Sequence, residues 1–283
     1  MFIHKKTIDF FEKIDVKVFD KFIDKFAKKY VEQRLPLIPS ALDEVFKVSD
    51  GLGVGFDLSQ IKNILRGNAV FIDPIREKGE TPNPLNDIYR SDLGELLTTY
   101  YFEEKLDEGH RYIIPAKNIS TRERYDMPGR GIDAIGYRIK DDGSYELLVS
   151  EAKVSGQKQN PPSVVDQTND SIYKTHKNYH DNADVLKQRL VEFSKNLNIQ
   201  DLVVILCVIV DIENKTNKYD ITYGCGLIRD YTCVDETKDF GKMKSHADEF
   251  DPGNIHFAIL AFTEETIDST IDLFYKKVRE LTK

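Results

Sequence analysis

Apolar residues recur at three- and four-residue steps over residues 7 to 33, where Phe10, Phe11, Ile14, Val18, Phe22, Ile23, Phe26 and Tyr30 alternate with lysines and acids. That period predicts an amphipathic helix or a pair of them, with the Phe stripe packed on the main domain or offered to a partner protein. Pro36 and Pro39 end it, and Ser40 to Val48 reads as a weaker helix before Gly51, Gly53 and Gly55. Pro74, Pro82 and Pro84 mark a loop, so 1–85 is expected to form a helical N-terminal portion with a linker, and 86–283 the main domain. Leu93, Leu96, Leu97, Tyr100, Tyr101 and Leu106 place a helix over 86–106, and Tyr112 to Pro115 reads as a short strand. Two apolar strands then flank a polar turn between Arg130 and Ser155.

Downstream, 163–173 and 181–198 read as helices, and the unbroken apolar run Leu202 to Val210 as a central strand buried on both faces. Strands at 219–228 and 255–262 and a closing helix at 264–281 complete the pattern. Helix, strand, strand, strand, helix, strand is the order from Asn86 to Val210, which predicts an α/β fold with a mixed sheet flanked by helices.

Composition narrows the class. A chain of 283 residues with 40% hydrophobic positions can bury a sizeable core. No apolar run is long enough to span a bilayer and the first residues lack the pattern of a secretory signal, so a cytoplasmic, membrane-free protein is expected. Cys207, Cys225 and Cys233 have no zinc-ligand spacing and read as ordinary buried thiols. The net charge of -8 excludes a surface basic all over, leaving a focused basic cleft or a partner that delivers the nucleic acid.

The chemistry concentrates in R-G-I-D-A-I-G and V-S-E-A-K-V-S. Asp133 opens the first strand of the hairpin, and Glu151 and Lys153, two apart, share one face of the second. A turn at Asp141 to Ser144 brings the start of the first strand beside the end of the second. With exactly four turn residues, Asp133 would oppose Ala152 and face away from Glu151; an odd-length loop or a bulge, at Gly143, is required to correct the register. Two carboxylates held close favour a shared proton or a divalent cation, and hard oxygen ligands suit Mg²⁺ or Mn²⁺ with the Ala152 carbonyl as a further ligand. Lys153 is then placed to steer an attacking water or neutralise developing charge.

Arg122, Arg124 and Arg130 in the preceding loop are the local candidates for phosphate contacts, against the plainer reading of a solvated charged loop. The G-L-G-V-G-F run lacks a following Gly-Lys-Ser/Thr and does not read as a nucleotide loop. His176 and His180 stand at helical i,i+4 spacing but lack the Glu of H-E-x-x-H, and read as surface histidines. Glu95, taken alone, is a helical acid of no special note. A Glu–Lys pair on an edge strand is often only a surface ion pair, so a silent nucleic-acid-binding or adaptor module and a phosphotransfer enzyme on another fold stay open beside a nuclease.

G-I-D followed after a hairpin by E-A-K, with Glu95 in the helix before, resembles the PD-(D/E)xK nuclease superfamily, although Ile132 stands where that family has Pro. The resemblance implies that Asp133, Glu151 and Lys153 are metal-dependent phosphodiesterase residues and that Glu95 completes the metal site. Within the superfamily, these two strands and the overall size are similar to the nuclease subunit of Hachiman anti-phage defence systems. That narrower likeness implies DNA as substrate and a helicase partner that restrains the nuclease until foreign or damaged DNA is sensed.

Overall fold

A computed structural model describes residues 9–18, 20–34, 86–121, 131–216 and 218–282, with Glu44, Lys47, Val48, Asp57 and Ile64 between them. The described strands form a six-stranded mixed sheet. The strands are β1 (Phe10–Val16), β2 (Ile113–Lys117), β3 (Ala134–Ile139), β4 (Tyr145–Ser155), β5 (Tyr219–Asp230) and β6 (Asn254–Phe262), in the spatial order β1-β6-β5-β4-β3-β2. β1, β6, β5 and β4 run parallel, while β3 and β2 are added antiparallel at one edge.

Helices cover both faces. On one lie α1 (Asp20–Arg34), α2 (Asn86–Tyr100, prolonged by a π-turn through Lys105) and the closing helix α9 (Ile267–Thr282). Phe26, Tyr30, Leu93, Phe102, Phe274 and Val278 pack there with Leu148, Ile228 and Ala258 of the sheet. On the other lie α4 (Ser163–Asp166), α5 (Ile172–Asp181), α6 (Ala183–Ser194) and α7 (Ile199–Asn214), after the short α3 (Asn118–Thr121) and before α8 (Gly241–Ser245). Leu147, Val149, Cys225, Leu227 and Phe257, on the alternate strand positions, bury against Ile172, Leu190 and Ile205. The two clusters divide the strand residues by parity, as the period of two requires.

Two expected elements differ. The helical region over 7–33 divides: residues 10–16 are a strand pairing with β6 from Phe10↔His256 to Val16↔Phe262, and the helix begins at Asp20. F-F-E-K-I-D-V satisfies both periods, and the open edge of β6 selects the extended form because its unpaired N–H and C=O groups need partners. The run Leu202 to Val210, expected as a central strand, lies inside α7. Asn198 caps this helix by accepting the Asp201 N–H at 2.9 Å, and Lys215 ends it at φ 53°. Only one face is buried, by Val204, Ile205 and Val208, whereas Ile199, Val203, Leu206 and Val210 are exposed. The parallel strand next to β4 is instead β5.

The expected helices over 86–106, 181–198 and 264–281 and the strands at 219–228 and 255–262 are present within a few residues; the helical stretch expected over 163–173 is two short helices, 163–166 and 172–181. Cys225 and Cys233 are buried, but Cys207 is exposed on α7. The weak helix at 40–48, the glycines at 51–55, the prolines at 74, 82 and 84, and Arg122, Arg124 and Arg130 lie outside the described residues, isolated positions apart. Among the described residues no helix is long and apolar enough to cross a membrane.

Candidate active site

The β3–β4 connection sets the geometry. Ile139 pairs with Tyr145 and Ala134 with Ser150, so five residues, 140–144, make the turn. Gly143 adopts φ 78°, its N–H reaches the Lys140 carbonyl at 2.9 Å, and Asp142 Oδ1 accepts the Ser144 N–H at 2.9 Å. This odd-length loop is the register correction that the hairpin needs.

Asp133 lies one residue ahead of β3. Its N–H donates to the Ser150 carbonyl at 3.1 Å, its carbonyl accepts from Asn118, and its carboxylate Oδ2 accepts the Ala152 N–H at 2.7 Å. The carboxylate is thereby held against the backbone between Glu151 and Lys153. Because a strand residue's N–H and C=O project to the same side, the Ala152 carbonyl opens toward that same edge.

Glu151 is buried and its Oε1 lies 2.9 Å from Lys153 Nζ, while its Oε2 is buried with no hydrogen-bond partner. Burial, and then the neighbouring Asp133, push the Glu151 carboxyl well above the usual carboxylate range, against the pull of Lys153. For Lys153, burial opposes the charge, but Glu151 and Asp133 outweigh it and hold its pKa above the ordinary lysine value. The ammonium is therefore charged in the neutral range.

Several residues that the sequence pattern did not single out adjoin this cluster. Asp170 Oδ2 is 3.2 Å from Lys153 Nζ, and Lys153 depresses the Asp170 pKa against the effect of burial. The Ile132 N–H donates to Tyr179 Oη at 3.2 Å, and Arg189 Nη2 reaches both the Ile132 carbonyl and Asn118 Oδ1 at 3.3 Å. The residue before Asp133 is thus held by both of its backbone groups, from α5 and α6. Asp170, Tyr179 and Arg189 come from a loop and two helices distant in sequence, so no local spacing signals them. His176, expected at the surface, is completely buried with its ring edge-on to Tyr223 at 5.5 Å, and burial lowers its pKa to about 3. His180 is partly buried, its Nδ1 3.0 Å from Tyr223 Oη.

Glu95 reaches the same end of the sheet from the other face. Gly94 beside it has no side chain to hold α2 away from β4, since a Cβ there would stand 2.7 Å from Val154 Cγ2. Glu95 is buried, and its Oε2 accepts the Ile119 N–H at 2.9 Å, next to the Asn118 that bonds to Asp133. Glu151 and Lys153, at the alternate strand positions, turn toward α5. Among the described residues no three His, Cys, Asp or Glu side chains converge as a metal cage.

A divalent cation fits the donors present. Mg²⁺ is commonly held by one or two carboxylates, completing its shell with water and substrate phosphate. Asp133 and Glu151 supply two carboxylates whose mutual repulsion a cation would relieve, and Glu151 Oε2 has an unused acceptor. A second buried cluster, with Arg229 paired to Asp239 at 3.3 Å, uses its donors on carbonyls and Asn160 and reads as a structural staple.

No curated protein matches the chain. A family model does match, over residues 10–278, which takes in the whole sheet and every residue of the cluster around Asp133. The chain therefore belongs to the HamA family, the nuclease-like protein of the Hachiman anti-phage defence system.

Proposed function

We propose that this HamA protein is a metal-dependent nuclease that hydrolyses DNA phosphodiester bonds as the effector of a defence complex restrained by a helicase partner. The observation that carries the reading is the pairing of the Asp133 carboxylate, fixed on the Ala152 N–H, with the buried Glu151, whose Oε1 contacts the Lys153 ammonium and leaves Oε2 without a hydrogen-bond partner. Buried, mutually perturbed ionisable groups of this kind concentrate at functional sites.

Asp133 and Glu151, with the Ala152 carbonyl, would hold Mg²⁺ or Mn²⁺, and Glu95 is proposed to support that set from the other face, through the Ile119 N–H of α3, whose Asn118 bonds to the Asp133 carbonyl. The metal, when bound, supplies a Lewis acid and a more acidic water. Lys153 binds a phosphate oxygen and offsets the negative charge that builds on the phosphoryl group, a role a fixed ammonium performs with no reorganisation. Tyr179 and Arg189 hold both backbone groups of Ile132, and so fix the main chain from which Asp133 is presented. Arg122, Arg124 and Arg130, in the segment before Asp133, are proposed to hold the flanking DNA backbone, which lets an acidic protein bind a polyanion locally.

The test is the pair Glu151→Ala and Lys153→Ala, assayed for Mg²⁺-dependent cleavage of DNA by the protein alone and with its genomic-neighbour partner. Cleavage should vanish while the far-ultraviolet circular dichroism stays native. Undiminished cleavage would reject the assignment, and intact partner binding with no cleavage by the wild type in any setting would favour a silent adaptor.

A further inference from the structure

The Lys153 ammonium has three hydrogens to donate, and two acids already take it up. Glu151 Oε1, 2.9 Å away, belongs to a side chain only 4% exposed, and Asp170 Oδ2, 3.2 Å away, to one 80% exposed. The two partners are therefore unequal. Glu151 is locked in the sheet, whereas Asp170 is a solvated side chain at the mouth of the site.

The backbone under Asp170 is anchored. The Ser171 N–H donates to the Thr168 carbonyl at 3.2 Å, the Thr168 N–H to the Ser163 carbonyl at 3.1 Å, and the Ser171 hydroxyl caps α5. Asp170 is thus presented to Lys153 by fixed main chain, with its side chain largely in water. An ion pair with such an exposed partner is weak. A phosphodiester oxygen is an anionic acceptor of the same kind as a carboxylate, so it competes for the same ammonium.

We propose that Asp170 is a positioning residue of the active site. It holds Lys153 beside Glu151 when no substrate is present, and gives the ammonium up to the scissile phosphate of an entering DNA strand. The inference rests on the nuclease reading above and adds a cost to non-productive binding: the strand must displace an acid to reach Lys153. A third-carboxylate role in holding the metal predicts the opposite response to neutralisation, which makes the two separable.

The experiment uses the full chain, with its partner if cleavage requires one, and a duplex oligonucleotide as the probe. Steady-state cleavage is measured in Mg²⁺, and binding by fluorescence anisotropy with Ca²⁺ in its place, for wild type, Asp170→Asn, Asp170→Glu and Lys153→Ala, each checked by thermal melting. Asp170→Asn should lower KM and Kd about two- to fivefold, the size of an exposed ion pair, with kcat within about twofold of wild type. Asp170→Glu should restore the wild-type KM, and in the double variant Asp170→Asn/Lys153→Ala the gain in Kd over Lys153→Ala should disappear. A fall in kcat that is rescued by higher Mg²⁺ would overturn the proposal in favour of a metal ligand. Unchanged KM and Kd in Asp170→Asn, with Lys153→Ala still defective, would overturn it while sparing the nuclease reading. If Lys153→Ala matches a wild type that neither binds nor cleaves, the nuclease reading itself falls, and this proposal with it.

Discussion

Gly143 holds a left-handed φ of 78° in the turn, and a side chain there would meet nothing within 4 Å. The cost of replacing it is therefore purely backbone strain. Gly143→Val should destabilise by about 1–3 kcal/mol in a urea titration, because the five-residue loop sets the β3–β4 register. His176 tests burial in another way. With its pKa lowered to about 3 from an unfolded value near 6.5, the unfolded chain binds a proton in that window that the native protein does not. The stability it contributes is complete above about pH 6.5 and declines as pH falls toward 3, by about 1.4 kcal/mol per unit. Urea unfolding at pH 5 and pH 7.5 should show a smaller pH dependence in His176→Phe than in wild type; an equal dependence would mean that His176 titrates normally.

Among the elements, α7 departs most from what its sequence pattern suggests. Nine consecutive apolar residues meet the requirement of a buried strand and of a helix with one buried face equally well. Asn198 and the left-handed Lys215 bound a helix, and β5 already occupies the place beside β4. Truncation separates the two faces. Ile205→Ala, at 1% exposure, should cost about 2–5 kcal/mol, while Val203→Ala, at 53%, should stay within about 0.5 kcal/mol. A strand buried on both sides would make both changes costly. β1 shows the same ambiguity resolved by an open edge: Ile14 and Val16 pack against one core and Phe11 against the other, as alternation in a strand demands.

At the scale of the whole molecule, the far end of β4 is held by Arg229. Completely buried, it donates to the Ser155, Gln159 and Cys233 carbonyls and to Asn160 Oδ1, and pairs with the equally buried Asp239. Arg229→Met should cost about 3–5 kcal/mol by leaving Asp239 without its cation, and should loosen the strand end that carries Glu151 and Lys153; denaturant unfolding and the cleavage assay read the two effects separately. Asp133, Glu151 and Lys153, and the need for an odd loop at Gly143, were legible in the sequence because a hairpin is local and its period of two ties residue number to face. So were most helices and the mixed α/β class, since those follow from apolar period and capping residues. The folding of 10–16 as a strand, the helical state of 199–214, and the company of Asp170, Tyr179 and Arg189 around the site were decided only in the tertiary structure. Each depends on which backbone groups and charges distant chain segments leave unpaired, a quantity that no local pattern of residues contains.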